Sequence, residues 1–108
     1  MRAFNAPSKY KNKRTIVDGI TFDSKREAAR YCQLRLMQKS GLISELQLQQ
    51  RFPIIVNMVK ICVYVSDFTY LTKAGQSVTE DVKGVKTAAY RLKKKLMKAV
   101  HNVDIKET

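Results

Sequence analysis

The pattern of apolar and polar positions divides the first half of the chain into a hairpin and a helix. Residues 15–22 contain two short β-rich runs around Asp18-Gly19, a pair typical of a tight turn. Residues 24–41 have helical spacing, which predicts a helix that begins after Ser24 and ends at Gly41. We expect its buried stripe at four positions, with Tyr31 at the margin: Ala28, Ala29, Cys32 and Leu36.

The remaining segments favour strands around a second helix. Residues 42–56 alternate, which predicts one strand that is bent or ended near Pro53. Residues 59–72 are apolar on both faces, as in a central strand, with Tyr64 and Tyr70 on the same face. A turn, a strand over residues 77–84, a helix over 87–102 and a last strand within 103–108 complete the order. The prediction is an α/β fold in which two helices flank a mixed sheet, with an N-terminal hairpin.

The charge indicates a polyanionic partner. Lys and Arg number 21 against 9 Asp and Glu, which gives a net charge of +12, well above what solubility alone requires. Residues 1–14 are basic and lack apolar periodicity, so we predict a flexible arm, followed by one domain over 15–108. A solvated surface is the alternative for the basic row on the second helix. The candidate phosphate-binding residues are Lys9, Lys11, Lys13 and Arg14 in the arm, and Arg91, Lys94, Lys95 and Lys98 on that helix.

Other classes of protein find little support in the sequence. The chain has no apolar run of membrane-spanning length and no secretory signal pattern at its start, so we expect a cytoplasmic protein with no membrane partner. Cys32, Cys62 and His101 lack the spacing of a zinc site or a disulfide framework. We therefore expect the two cysteines to be small core residues.

One carboxylate stands out because Asp67 interrupts an apolar run, where burial without compensation is costly. Its position relative to Asp81 depends on the turn between their strands. A three-residue loop ending at Gly75 places the two aspartates side by side, whereas a two-residue loop separates them onto opposite faces, and the sequence permits both. Lys83 shares the face of Asp81 because strand side chains alternate. Such a cluster could hold a divalent cation beside a phosphate, or be an ion network without chemistry.

These residues resemble a known motif. Asp67, then Asp81-Val82-Lys83, after a helix that carries Glu27, resembles the D…(D/E)-x-K signature of the PD-(D/E)XK nuclease superfamily. The predicted α-β-β-β-α-β order is similar to the common core of that superfamily. More closely, residues 9–31, 43–54 and 79–87 resemble a family of small phage proteins formerly of unknown function. That family has been related to Holliday junction resolvase-like endonucleases.

The resemblance implies a magnesium-dependent endodeoxyribonuclease, with Mn²⁺ as a substitute, that acts as a homodimer on DNA, most simply on branched DNA. Asp67 and Asp81 would be metal ligands, together with the Val82 carbonyl, and Lys83 would be the catalytic lysine. Glu27 would complete the site as a further ligand, unless it only caps its helix with Ser24.

Three neighbouring polar residues have weaker claims to the site: Glu80, Gln49 and Gln50. Glu80 should point off the catalytic face of a regular strand, and an edge position explains either glutamine. The alternatives to a branched-DNA endonuclease are a non-catalytic nucleic-acid-binding protein and a nuclease for flaps, nicked duplex or RNA.

Overall fold

The computed structural model describes residues 14–108, and the fold follows the predicted order with more strands. Along the chain lie β1 (Thr15–Val17), β2 (Ile20–Phe22), α1 (Lys25–Lys39), β3 (Ile43–Leu48), β4 (Arg51–Val56), β5 (Val59–Val65), β6 (Phe68–Thr72), β7 (Ser77–Asp81), α2 (Ala88–His101) and β8 (Ile105–Glu107). Among these residues, one sheet has the order β3-β6-β7-β8, and β1–β2 and β4–β5 form separate hairpins. The β7–β8 pair is parallel and the others are antiparallel. The predicted α/β fold with a mixed sheet, two helices and an N-terminal hairpin is therefore confirmed.

The two long strands predicted in the middle of the chain are each broken in two. β3 ends before Gln49, whose φ of 53° is left-handed and incompatible with a continuous strand. The strand that runs opposite is also interrupted, at Ser66-Asp67 between β5 and β6. Two backbone hydrogen bonds bridge the break, from the Gln49 amide to the Asp67 carbonyl (3.1 Å) and from the Ser66 amide to the Gln50 carbonyl (3.0 Å). The β4–β5 hairpin therefore prolongs the β3–β6 pair. Of the two outcomes expected near Pro53, an end is wrong because Pro53 lies inside β4, whereas an irregularity is present directly after it, as a register shift between Ile54 and Ile55.

Helix α1 begins as predicted but buries a different face. The Ser24 hydroxyl accepts a hydrogen bond from the Glu27 amide (3.1 Å), which confirms the N-cap, and the helix ends two residues before Gly41, whose φ is 84°. The buried residues are Ala28, Tyr31 and Leu34.

The predicted stripe of α1 was therefore wrong at Ala29, Cys32 and Leu36, which are exposed. The reason is the β1–β2 hairpin: the ring of Phe22 packs 5.1 Å from the ring of Tyr31, so the side of the helix that carries Tyr31 is the buried one. The core assignment of Cys32 fails for the same reason, and Cys62 is half-buried.

The sheet separates two apolar cores. The core beside α1 contains Phe22, Ala28, Tyr31, Leu34, Ile43, Phe68, Tyr70 and Val82. The core beside α2 contains Ile54, Tyr64, Tyr90, Met97 and Ile105. Side chains of paired residues share a face, and Phe68 pairs with Glu80 whereas Ile105 pairs with Thr79. Glu80 therefore faces the α1 core and its neighbour Asp81 faces the α2 core.

Helix α2 begins at its predicted N-cap, where the Thr87 hydroxyl accepts a hydrogen bond from the Tyr90 amide (3.1 Å). It ends at Asn102, which adopts the left-handed conformation that closes many helices. Neither helix within residues 14–108 has the length and apolar character needed to cross a membrane.

Candidate active site

The turn between β6 and β7 takes the form that unites the two aspartates. Gly75 has a φ of 85°, its amide donates to the Thr72 carbonyl (2.8 Å), and the Thr72 amide donates to the Gln76 carbonyl (2.8 Å). This is the three-residue loop that a left-handed glycine allows. Since Phe68 pairs with Glu80, Asp67 lies opposite Asp81, one residue further along. Of the two registers that the sequence permits, the structure has the one that places the two aspartates side by side, and their expected convergence is confirmed.

Asp81 is buried and held by two hydrogen bonds from outside its own strand. One Oδ accepts from the backbone amide of Asp67 (3.0 Å), and the other accepts from the hydroxyl of Tyr64. Burial, followed by the bond to this carboxylate, raises the pKa of Tyr64, so its hydroxyl remains a donor. The side chain of Asp81 is therefore held by Tyr64 of β5 on one side and by the backbone at Asp67 on the other.

The Asp67 carboxylate completes a reciprocal arrangement. Its Oδ2 accepts from the Val82 amide (2.8 Å), while its own amide donates to Asp81. Burial is the main cause that raises the pKa of Asp67, to about 7; the bond from Val82 opposes it, and the charges of Asp81 and Glu27 reinforce it. Two carboxylates placed so close repel each other unless a proton or a cation lies between them.

Lys83 lies beside this pair, as the strand period predicts. Its Nζ is 3.8 Å from an Oδ of Asp81 and 4.3 Å from the centroid of the Tyr90 ring, and its side chain is partly exposed. The ring supports the ammonium through a cation–π contact from the α2 side. The ammonium is therefore positioned at the rim of the site, where an anion from solvent can meet it.

Glu27 reaches the same region from α1. Its backbone amide is capped by Ser24, but among residues 14–108 its carboxylate makes no return bond to complete a capping box. The side chain lines one cleft with Asp67 and another with Lys83 and Val82. Burial raises the pKa of Glu27, the charges of Asp23 and Asp81 raise it further, and Lys83 opposes them. The position is compatible with a role in the site, and that role stays a prediction.

Glu80 is directed away from the site, as its strand position predicts. It is fully buried and accepts two hydrogen bonds from Arg30, at 2.7 and 2.8 Å, one from the Tyr70 hydroxyl and one from the Thr108 hydroxyl (3.3 Å). Burial alone would raise its pKa, but the bonds from Arg30 and Tyr70 outweigh it and keep the pKa below its ordinary value. Glu80 therefore ties β7 to α1.

Of the two glutamines, only Gln49 lines the cleft that contains Asp67 and Glu27. Its left-handed backbone at the break between β3 and β4 brings it there, and its amide bonds to the Asp67 carbonyl. Gln50 contributes its carbonyl to the ladder with Ser66. Gln49 is thus the stronger candidate for contact with a bound substrate.

The donor set suits a hard cation. Asp67 and Asp81 are adjacent carboxylates, and Mg²⁺ is commonly bound by one or two carboxylates with water and substrate phosphates. Within residues 14–108, no three His, Cys, Asp or Glu side chains cluster closely enough to form a complete metal cage. The two aspartates therefore fit a shared ion that also needs water or substrate. The Val82 carbonyl as a further ligand stays a prediction.

The basic residues of α2 line a groove of about 600 Å³ between α2 and β8. Arg91, Lys94, Lys95 and Lys98 all contribute to it, and Tyr90 joins this groove to the region of Lys83. Two of the four are already paired, Lys94 with Glu107 (3.2 Å) and Lys98 with Asp104 (3.0 Å). Arg14 is exposed, and Lys9, Lys11 and Lys13 lie outside the described residues.

Sequence reasoning missed three residues that shape this region: Tyr64, Tyr90 and Arg30. Tyr64 binds Asp81, Tyr90 carries Lys83, and Arg30 holds Glu80 next to Asp81. The signal for Arg30 was its spacing of three residues from Glu27, which places both on one side of α1. Tyr64 gave no such signal, because it was assigned to the same face as Tyr70.

Comparison with known families identifies one family, whose description gives no activity. Residues 7–108 match a family described as a protein of unknown function, DUF1064. The chain belongs to this family, which spans nearly its whole length. No curated protein and no solved structure matches the chain.

Proposed function

We propose that this protein is a metal-dependent DNA endonuclease of the PD-(D/E)XK type that acts on branched DNA. The observation that carries the proposal is the Asp67–Asp81 pair with Lys83 beside it, 3.8 Å from Asp81. An apolar environment, two adjacent carboxylates and an ammonium at the rim are costly for folding and suited to chemistry on a phosphodiester.

In this proposal Asp67 and Asp81 would hold the metal, with the Val82 carbonyl as a further oxygen donor. Glu27 lines the same cleft as Asp67 but forms no cluster of three carboxylates with the aspartates among residues 14–108, so it would reach the ion through water. When bound, Mg²⁺ or Mn²⁺ would act as a Lewis acid on the phosphodiester. Tyr64 and the Asp67 amide hold the Asp81 carboxylate in one orientation, so this metal-binding group is already ordered before substrate binds.

Lys83 supplies positive charge where negative charge develops. In hydrolysis, a water oxygen bonds to phosphorus while the bond from phosphorus to one sugar oxygen breaks, and that sugar oxygen takes up a proton. The charge on the phosphoryl oxygens rises during this step, so an ammonium at the rim stabilises the transition state more than the bound substrate. The Tyr90 ring, 4.3 Å from this ammonium, stabilises its charge through a cation–π contact.

The groove along α2 supports the assignment of DNA as the substrate. Tyr90 contacts Lys83 at the site and also lines the groove, so a phosphate backbone could pass from one to the other. Within residues 14–108, Arg91 and Lys95 form no ion pair and are exposed, which leaves both free to meet phosphates. Branched DNA as the preferred form is carried over from the resemblance to resolvase-like endonucleases.

The test is Asp81→Asn, which keeps the shape of the side chain and removes one charge. Cleavage of a four-way junction and of linear duplex should collapse in magnesium, and binding measured in calcium should persist. Asp18→Asn is the matched control, because Asp18 lies in the β1–β2 turn and pairs with Arg35 of α1 instead of with a residue of the site. Its left-handed φ of 53° is one that asparagine readily adopts.

Cleavage by the wild type in EDTA, or wild-type rates in Asp81→Asn, would refute the proposal. If wild type and both variants bind the DNA panel but none cuts it, the protein is a non-catalytic nucleic-acid-binding protein that uses the same basic surface. Cleavage confined to flaps, nicked duplex or RNA would keep the chemistry and change the substrate.

A further inference from the structure

A cleft of about 300 Å³, which we call the hairpin cleft, opens between β2 and the point where β3 ends. Its walls are largely apolar and come from three strands: Ile20 and Phe22 of β2, Leu48 of β3 and Phe68 of β6. Asp67 also lines the hairpin cleft, so the cleft reaches the aspartate pair. A ligand in this cleft therefore lies next to any phosphate bound at that pair.

The polar groups at the rim of the hairpin cleft are free to bond a ligand. Thr21 and Gln49 line it and are exposed. Within residues 14–108, no hydrogen bond engages the Thr21 hydroxyl or the side-chain amide of Gln49. An amide offers both a donor and an acceptor, and so does a hydroxyl. The hairpin cleft therefore combines apolar walls with hydrogen-bonding groups that the fold itself does not use, as is typical of a ligand site.

The backbone of Gln49 is held in an unfavourable conformation. Its φ of 53° is left-handed, where glycine is favoured and a side chain adds strain. Its amide donates to the Asp67 carbonyl (3.1 Å), which fixes Gln49 relative to a proposed metal ligand. Strained residues concentrate at functional sites. A glutamine at a position where glycine is easier is explained by work that its side chain does in the hairpin cleft.

The chemistry of the hairpin cleft selects a nucleobase as its ligand. The carboxylates of Glu27 and Asp67 line the cleft and disfavour a phosphate inside it, whereas the amino groups of adenine, cytosine and guanine can donate to such oxygens. The apolar faces of a base match the walls formed by Ile20 and Leu48. A volume at the lower end of the range for small-ligand sites accommodates a single base and excludes a stacked base pair.

We propose that the hairpin cleft binds one unpaired base of DNA and that the side chain of Gln49 hydrogen-bonds the edge of this base. The base lies beside the phosphodiester that is cut, a placement that rests on the proposed nuclease function. A base within intact duplex must be unstacked and extruded at a cost in free energy, whereas an unpaired base is available at a lower cost. The hairpin cleft thereby favours DNA with an unpaired nucleotide over linear duplex.

The experiment measures binding of the full chain in calcium to two DNAs that differ only in the base. One is a duplex with a single unpaired adenine, and the other has an abasic site at the same position, which keeps the backbone phosphates. The wild type should bind the adenine DNA about tenfold more tightly than the abasic DNA, the ratio expected of one well-placed amide–adenine contact.

Gln49→Gly removes the side chain that reads the base and relieves the backbone strain at the same time. This variant should melt no lower than the wild type, and its ratio of the two affinities should fall by about fivefold or more. Gln50→Ala is the matched control, because Gln50 is the next residue but does not line the hairpin cleft, and it should keep the wild-type ratio.

Equal binding of the adenine and abasic DNAs by the wild type would overturn the proposal, as would a wild-type ratio in Gln49→Gly. Cleavage in magnesium at phosphates remote from the unpaired adenine would also overturn it, while leaving the nuclease function intact. A preference for the adenine DNA without cleavage of any DNA would support the base site and refute the nuclease function, so the two failures are distinguishable.

Discussion

Arg30→Met tests how strongly β7 is tied to α1. The change removes both guanidinium bonds to Glu80, at 2.7 and 2.8 Å, while methionine preserves much of the apolar packing of the arginine stem. Glu80 is fully buried and would keep only the hydroxyls of Tyr70 and Thr108 as donors. Leaving one partner of a buried ion pair unpaired typically costs about 3–5 kcal/mol. We expect about 3 kcal/mol here, since two donors remain, which for a domain of this size is a fall in Tm of about 12 °C.

The assay is urea unfolding at neutral pH, with Arg35→Met as the control. Arg35 lies on the same helix and pairs with Asp18, but both side chains are about 40% exposed, 43% and 39%. An exposed pair of this kind contributes less than about 1 kcal/mol. Equal losses of stability in the two variants would refute the claim that the Glu80 contact is a buried ion pair that holds the fold.

The same pair gives a pH dependence with a definite sign. The pKa of Glu80 in the folded protein is below the ordinary value of 4.5, so its ionised form is stabilised by folding. The stabilisation of the fold by ionised Glu80 is complete above about pH 4.5, and it is lost as the pH falls through the lower pKa that Glu80 has in the folded protein. The stability difference between wild type and Arg30→Met should therefore narrow in acid. A difference that stays constant down to strongly acidic pH would show that it does not arise from the charge of Glu80.

Two further predictions concern the site and the groove. Tyr64→Phe removes the hydroxyl bonded to Asp81, so it should lower the free energy of unfolding in urea by about 1–2 kcal/mol and slow magnesium-supported cleavage. The control Tyr31→Phe loses only a hydrogen bond to the half-exposed carboxylate of Asp18 and should leave cleavage unchanged. In DNA titrations, the double variant Arg91→Ala, Lys95→Ala should make the negative slope of log binding constant against log salt less steep by about two. The change should be larger than in the double variant Lys94→Ala, Lys98→Ala, because these two lysines already form ion pairs within the chain. Affinity and a salt slope unchanged from the wild type in the Arg91→Ala, Lys95→Ala variant would place this helix outside the DNA interface.

The pairing of Asp67 with Asp81 could be anticipated because it depends on local chemistry. Once Gly75 is left-handed, the loop fixes the register of both strands, and the two aspartates meet without help from the rest of the fold. Lys83 then follows from strand alternation. The sequence nevertheless permitted a second loop, so the choice between the two became visible only in the structure.

The break between β5 and β6 could not be predicted in the same way. Neither Ser66-Asp67 nor Gln49-Gln50 contains glycine or proline, the usual marks of an interruption. A continuous strand would put Tyr64 and Tyr70 on one face, whereas in the structure they pack in different cores. The contact between Tyr64 and Asp81 depends on this break. The buried face of α1 was missed for a related reason, because it is set by Phe22 in another element.

The short loop at Gly75 also bears on the order in which the molecule folds. Asp67 and Asp81 are 14 residues apart and joined by one tight turn, so their strands can pair on the microsecond scale typical of hairpins. The parallel β7–β8 pair must wait for a crossover that contains the whole of α2, which closes a much longer loop. We therefore expect the two carboxylates to meet in a nascent hairpin that water still surrounds. Their mutual repulsion is then weak when it first arises, and it grows only as the later elements exclude water from around them.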